Sequence, residues 1–373
     1  MRIRRLEISS FPVPFRVVFK HASASRAQAE NIIVAVCSDD GEIGYGEGCP
    51  RHYVTGETVE SAASFLRLYS DSLVGSVTDV RSLRAWTDSH REIIDRNPAA
   101  FCAVEIALLD LLGKASGVSV EELLGLPPLA GRFPYTAVLG DSPYPVYWWQ
   151  FRRYRKRGFC DFKVKVSDDL ERDRRKLRLF SNRKDARLRV RLDANNLWVS
   201  AEECVRHVAS LPYPVYAIEE PLQEGDLEGF RRVGEECGAR IILDESLLRV
   251  EQLDTLEDPE LWILNLRVSK MGGIIRTLDV AHRAADRGLG VIVGAQVGET
   301  SILTRADLTV MHAAGANLVA SEGAFGTHLL KRDLTTESLM FGDGGAIDIG
   351  RTGIGGNPGL GLKIRNDELV SLK

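Results

Sequence analysis

The 373-residue chain contains no apolar run approaching the length of about 18 residues that a bilayer-crossing helix needs. Its six cysteines, at 37, 49, 102, 160, 204 and 237, include no CxxC pair, which excludes a zinc ribbon and a thioredoxin-like motif. Scattered thiols in a chain this long read as core filler in a reducing compartment. An excess of charge of one sign is also lacking. Lys and Arg number 48 and Asp and Glu 52, a net −4, so neither a dedicated nucleic-acid binder nor a membrane-surface binder is indicated. The start, Met1-Arg-Ile-Arg-Arg-Leu-Glu-Ile, alternates like a strand and has no continuous apolar core of a signal peptide, so a cytoplasmic location is expected. What is present is 44% hydrophobic residues, too many for a disordered chain. The length exceeds what one core supports, and one large domain with a smaller partner is expected.

The first 50 residues read as antiparallel. Ile32-Ile-Val-Ala-Val-Cys37, the turn Ser38-Asp-Asp-Gly41 and Glu42-Ile-Gly-Tyr-Gly-Glu47 predict a β-hairpin. From about Thr58 the period becomes helical. Phe101, Val104, Leu108, Leu111 and Leu112 share a face, with Pro98 at the start and Gly113 as the expected end. Strands followed by helices give an α+β module over residues 1–130. After Pro134, eight short apolar runs alternate with amphipathic segments. One such segment is Ser200 to Leu211, opened by a capping box of Ser200 and Glu203. Eight runs fit a parallel (β/α)-type barrel over 131–325, an α/β architecture, better than an open sheet. The Gly-rich remainder, 326–373, is expected to pack back on the first module. The basic run at 152–157 reads as a solvated outer helix rather than a nucleic-acid patch. The Gly-rich stretch 353–361 lacks the strand and helix that a dinucleotide site requires, and reads as loop.

The chemistry lies where charge ends the apolar runs: Lys163 and Lys165, Asp193, Glu219 and Asp244. In a barrel the carboxyl ends of the strands face one site. A single acid there would read as a helix cap or an arginine partner. Three from successive runs, with a lysine pair, point to one hard divalent cation, expected to be Mg²⁺ at one per subunit. Lys163 and Lys165 alternate with Phe162, Val164 and Val166, so both face the barrel interior. Two cations side by side and near a metal destabilise each other's protonated forms, which lowers a lysine pKa and suits a base. The cation would hold a substrate carboxylate and stabilise the charge that develops when the α-proton leaves.

Phe162-Lys-Val-Lys165, Asp193-Ala-Asn195, Glu219-Glu-Pro221, Asp244-Glu-Ser246 and Asn265-Leu-Arg-Val-Ser-Lys-Met-Gly-Gly273 resemble the successive strand-end motifs of the enolase superfamily, in its muconate lactonizing enzyme subgroup. Ala103-Val-Glu-Ile-Ala-Leu-Leu-Asp-Leu-Leu-Gly-Lys114 resembles a helix of that family's capping domain. The resemblance implies an N-terminal α+β capping domain on a (β/α)7β barrel. It also implies Mg²⁺ on Asp193, Glu219 and Asp244, Lys165 as base and Lys163 in support. One departure stands out: the family's sixth-strand lysine is Arg267 here, and Lys270 matches the second lysine of that motif. Arg stays protonated, so Arg267 could stabilise an enolate, or a one-base syn reaction could run on Lys165. A local shift could alternatively make Lys270 the partner.

Substrate contacts are expected from the family's capping loops and last strands. The loops holding His21 and Arg51 with Tyr53 resemble those of dipeptide epimerases. Asn195, Lys270, Glu299 and Glu322 complete the candidate set. A dipeptide epimerase usually carries an Asp-x-Asp pair on the eighth strand, where this chain has Ser321-Glu-Gly323. The expected activity is isomerisation (epimerase, racemase or cycloisomerase) of a small carboxylic acid such as an amino-acid derivative or dipeptide, through an enediolate. The alternatives are a syn-elimination lyase and a non-catalytic ligand binder. A homo-oligomer, with no nucleic-acid or membrane partner, is expected.

Overall fold

The computed structural model describes residues 2–21, 24–181 and 185–372, and the side chains at 17–26 lie outside the description. Near the N-terminus, Ile3–His21, Ala24–Ser38 and Ile43–Gly48 form an antiparallel sheet. The hairpin register pairs Val36 with Gly44 and Val34 with Gly46. Its turn closes by Ser38 N donating to Glu42 O at 3.0 Å, with Gly41 left-handed at φ 89°.

The helix Pro98–Ser116 lies directly on this sheet and is buried from Pro98 to Gly113. The glycines of the third strand are the reason it can. A Cβ on Gly44, Gly46 or Gly48 would overlap the backbone oxygen of Ala107, Ala103 or Ala99 respectively. An i, i+2 row of glycines thus meets an i, i+4 row of alanines, the two periods at which a strand and a helix present one face. The helix does not end at Gly113. It runs on to Ser116, and left-handed Gly117 (φ 71°) terminates it. Gly113 serves close approach instead, since an added Cβ would sit 2.8 Å from Gly359 Cα.

Eight parallel strands follow: Ala137–Leu139, Asp161–Lys165, Arg189–Asp193, Ala217–Glu219, Arg240–Leu243, Trp262–Leu266, Gly290–Val293 and Leu318–Ser321. They pair in sequence order, and the ends of the sheet meet where Thr136 N donates to Ser321 O at 2.8 Å. This is the (β/α)7β barrel with its N-terminal cap. Six connections carry α-helices. The fifth, between Arg240–Leu243 and Trp262–Leu266, is made by two 3₁₀ turns, Val250–Thr255 and Pro259–Leu261. In the helix Ala201–Ala209, Ser200 Oγ accepts from Glu203 N at 3.3 Å, but the Glu203 carboxylate reaches Val199 N, one residue before the box position.

The second strand shows how the barrel sorts its side chains. Phe162 points outward, with ring centroids 5.6 Å from Phe151 and 5.2 Å from Phe180 on the outer helices. Burying each such ring contributes roughly 1.5–3 kcal/mol, and that anchoring turns Lys163 to the interior. The basic run at 152–157 lies on the outer helix Tyr144–Arg157, where Arg152, Arg153 and Lys156 are exposed. The C-terminal segment returns to the cap: Ser371 and Val370 pair with Ser9 and Ser10, and Leu360 N donates to Asp110 Oδ1 at 2.8 Å.

Candidate active site

Parallel register brings the strand-end charges level. Lys165 is opposite Asp193 on the next strand, and Asp193 is opposite Glu219 on the one after. Asp244 follows the fifth strand directly, and Arg267 and Lys270 follow the sixth, across the barrel from the lysine pair.

The two lysines meet through a shared carboxylate. Lys163 Nζ lies 2.8 Å from Glu219 Oε1, 3.2 Å from Asp193 Oδ2 and 3.4 Å from Glu322. Lys165 Nζ donates to Asn195 Oδ1 at 2.7 Å and lies 3.3 Å from the same Asp193 oxygen. At Lys163 repulsion does not dominate. Burial works to lower the Lys163 pKa, but Asp193, Glu219 and Glu322 outweigh it and hold the ammonium well above its ordinary range. Lys163 is therefore a fixed cation that organises carboxylates, and Lys165, part-exposed, is the lysine that faces the mouth.

Asp244 carries two cations. Lys270 Nζ is 2.8 Å from Oδ1, and it also donates to Asp244 O at 2.6 Å and Asn265 O at 3.2 Å. The Arg267 guanidinium contacts Oδ2. Burial disfavours charge on Asp244, yet Arg267 and Lys270 outweigh it and hold the carboxyl below its usual range.

Arg51, Glu322 and Glu299 are held by partners inside the protein. Arg51 is buried as a strut, donating to Glu30 O, Pro50 O, Asn31 Oδ1 and Val297 O. Glu322 reaches down to Arg191 (2.6 Å) and Lys163, and Arg191 in turn meets Asp161 and Tyr216. Glu299 is buried, accepts from Gln296 N and stands beside Asp307. Tyr53 lies part-buried on the short helix His52–Thr55. The His21 side chain lies outside the described residues.

Glu220 is a residue that the candidate set lacked. It is buried at φ 41° and accepts from Asp244 N (2.7 Å), Ser246 N (2.9 Å) and Ser246 Oγ (2.7 Å), tying the fourth strand end to the fifth. Asn195 and Asn196 are also left-handed, at φ 46° and 59°. Such backbone costs on the order of 1–3 kcal/mol per residue and collects at functional sites. The signal was the Glu219-Glu220 doublet, since two adjacent buried acids at a strand end cannot share one face. Asn265, whose Nδ2 donates to Glu219 Oε1 at 3.1 Å, was likewise missed.

The donors suit a hard cation. Asp193 Oδ1 and Glu219 Oε2 are buried and have no hydrogen-bond partner, the condition of carboxylate oxygens that lack a positive neighbour. Among the described residues no three acids close on one point as they stand. Lys163 bridges Asp193 and Glu219, and Arg267 holds Asp244. The donor chemistry fits Mg²⁺.

The fold and its charged strand ends define a barrel enzyme of the (β/α) class. A model described as enolase C-terminal domain-like matches residues 149–368, and the mandelate racemase / muconate lactonizing enzyme N-terminal domain matches 5–125. The chain belongs to the mandelate racemase / muconate lactonizing enzyme family of the enolase superfamily. It is similar to the L-Ala-D/L-Glu epimerase of Bacillus subtilis (strain 168), 26% identical over 367 residues and 97% of each chain. It is also similar to the N-succinyl-L-Arg/Lys racemase of Bacillus cereus, 26% identical over 381 residues, 100% of this chain and 98% of the racemase. The structure of the Cytophaga hutchinsonii dipeptide epimerase, complexed with Mg and D-Ala-L-Val, shares the fold. Its TM-score is 0.86 at 24% identity, over 100% of this chain and 99% of that one. No helix is long and apolar enough to cross a membrane among the described residues.

Proposed function

We propose that the chain is a Mg²⁺-dependent isomerase that removes the proton α to the carboxylate of an amino-acid derivative or dipeptide, passing through an enediolate. The observation that carries this reading is the arrangement at the mouth: Lys165 on the second strand faces Arg267 and Lys270 after the sixth, with Asp193, Glu219 and Asp244 at the strand ends between. The curated relatives are epimerases and racemases, which supports it. Residues 1–130 would cap the substrate, 131–325 supply the chemistry and 326–373 brace the cap.

In this reading Asp193, Glu219 and Asp244 hold the cation, which when bound supplies a positive charge for the substrate carboxylate and its enediolate. Lys165 takes the α-proton as the base, and Asn195 orients its Nζ. Lys163 keeps Asp193 and Glu219 charged and in place. Glu220 fixes the backbone beneath Asp244. Arg267, always protonated, offers positive charge to the substrate from the opposite side, where a solvent water returns a proton to the enediolate in place of the one held by Lys165.

A second reading, syn elimination on Lys165 alone, is favoured by Arg267, because a guanidinium does not act as a base. Incubating the Mg²⁺-loaded protein with N-acyl amino acids and dipeptides in D₂O tests both. Solvent deuterium in both epimers is expected. Loss of water or another leaving group without epimer formation assigns elimination, and no exchange across the acids tried rejects proton abstraction.

A further inference from the structure

Asp244 is held by two cations of very different standing. Lys270 is fully buried and spends its ammonium on three acceptors, two of them backbone oxygens. It is built in. Arg267 is less committed. Among the described residues, its guanidinium has, beyond its contact with Asp244 Oδ2, Gln296 Oε1 at 3.4 Å, and its buried Nε has no hydrogen-bond partner. An arginine fork makes up to five hydrogen bonds, so most of this one's donors have no partner among the described residues.

The balance of charge sharpens the point. Asp193 and Glu219 are countered by Lys163 and Lys165, Glu322 by Arg191 and Lys163, and Asp244 by Lys270 and Arg267. A divalent cation therefore meets acids that each already hold a resident cation. Its positive charge competes with those cations, and the withdrawal of one of them or the arrival of an anion eases its entry. Lys163 and Lys270 are buried and multiply bonded, and Lys165 stands on Asn195 and Asp193. Arg267 is the one with the most donors lacking a protein partner among the described residues.

We propose that Arg267 is a displaceable counter-ion of Asp244: binding of Mg²⁺ expels its guanidinium from Oδ2 toward the mouth, where it meets the anionic substrate. This rests on the Mg²⁺ reading given above and adds an order to it. Metal and acid then strengthen each other's binding, because the metal releases a cation for the acid and the acid neutralises the charge the metal brings. A lysine, a compact point charge on a flexible stem, lacks the fork that can leave a carboxylate and still grip another anion in two places.

Calorimetric titration with Mg²⁺ alone, on wild type, Arg267→Gln and Arg267→Lys, tests this, together with a crystal structure of the Mg²⁺-loaded wild type. Arg267→Gln is expected to bind Mg²⁺ about tenfold more tightly, within the usual range of coupling between sites, with Arg267→Lys in between. In the loaded crystal the guanidinium is expected to have left Asp244. Succinate is expected to tighten Mg²⁺ binding to wild type and to do so less in Arg267→Gln. Equal Mg²⁺ affinity in wild type and Arg267→Gln, or an ion bound while Arg267 still contacts Oδ2, overturns the displacement. Failure of every variant, including the charge-conserving lysine, to bind Mg²⁺ overturns the metal reading itself, and the displacement with it.

Discussion

Lys165 differs from Lys163 by two positions and by its exposure: its side chain keeps 22% of its surface accessible, against 4% for Lys163. A proton acceptor must reach substrate, and only Lys165 of the pair can. Lys165→Ala is expected to lower α-proton exchange into D₂O by about 10²–10⁴-fold while Mg²⁺ affinity by calorimetry stays within a few-fold. Exchange retained in that variant would move the base elsewhere. Asp244→Asn removes a charge from the hard-cation set and is expected to weaken Mg²⁺ binding at least tenfold. Glu220→Ala is a subtler case, because Glu220 need not touch the cation to matter. It leaves Asp244 N and Ser246 N without their acceptor, so a loss of about 1–3 kcal/mol in unfolding free energy is expected, with weaker Mg²⁺ binding alongside.

At the scale of elements, three buried glutamates cap helices from outside them. Glu57 accepts from Ala99 N and Ala100 N at the start of Pro98–Ser116. Glu105, on that helix, accepts from Ile274 N and Ile275 N of the barrel helix Ile274–Asp286. Glu47, at the end of the hairpin, accepts from Thr300 N, Thr300 Oγ1 and Leu303 N at the start of Ser301–Ala314. The latter two are joints between cap and barrel, each made of a carboxylate on a positive helix end. Left-handed Gly273, where an added Cβ would lie 2.6 Å from the Glu105 carboxyl carbon, leaves room for one of them. Glu105→Ala is expected to cost roughly 1–3 kcal/mol in chemical denaturation and to split the unfolding of cap and barrel if these joints couple them. A single transition shifted by less than 0.5 kcal/mol, about the scatter of a surface change, would assign the coupling to apolar packing instead.

At the scale of the whole molecule, much was legible in local pattern. Alternation put Phe162 outward and Lys163 inward, and strand-length apolar runs located all eight barrel strands. What escaped was non-local. Nothing near Arg51 in the chain announces Val297 O, and nothing near Glu322 announces Arg191, because those partners are chosen by closure of the barrel and seating of the cap. The same closure reversed the reading of Lys163: a neighbour of another cation in sequence became, in space, a cation facing carboxylates from other strands. Global assembly also decides how stability follows pH. Burial pushes Glu47, Glu57 and Glu105 up to about 7 from an ordinary 4.5. Each then binds its proton more tightly folded than unfolded, so its contribution to stability falls as pH rises from about 4.5 to about 7 and levels off above. Glu121 and Asp173 run the other way. Burial opposes their charge, but Arg305 and Thr309 hold Glu121 low, and His207 and Lys176 hold Asp173 low. The stability those two contribute is present above the ordinary carboxylate range and is lost as pH falls through it. The midpoint of thermal unfolding in metal-free buffer should therefore be highest near pH 4.5, where the two windows meet, and decline as pH rises from there to about 7. A midpoint that climbs steadily from pH 5 to 8 would mean that the helix ends at Ala99, Ile274 and Thr300 favour the charged carboxylates more than burial disfavours them.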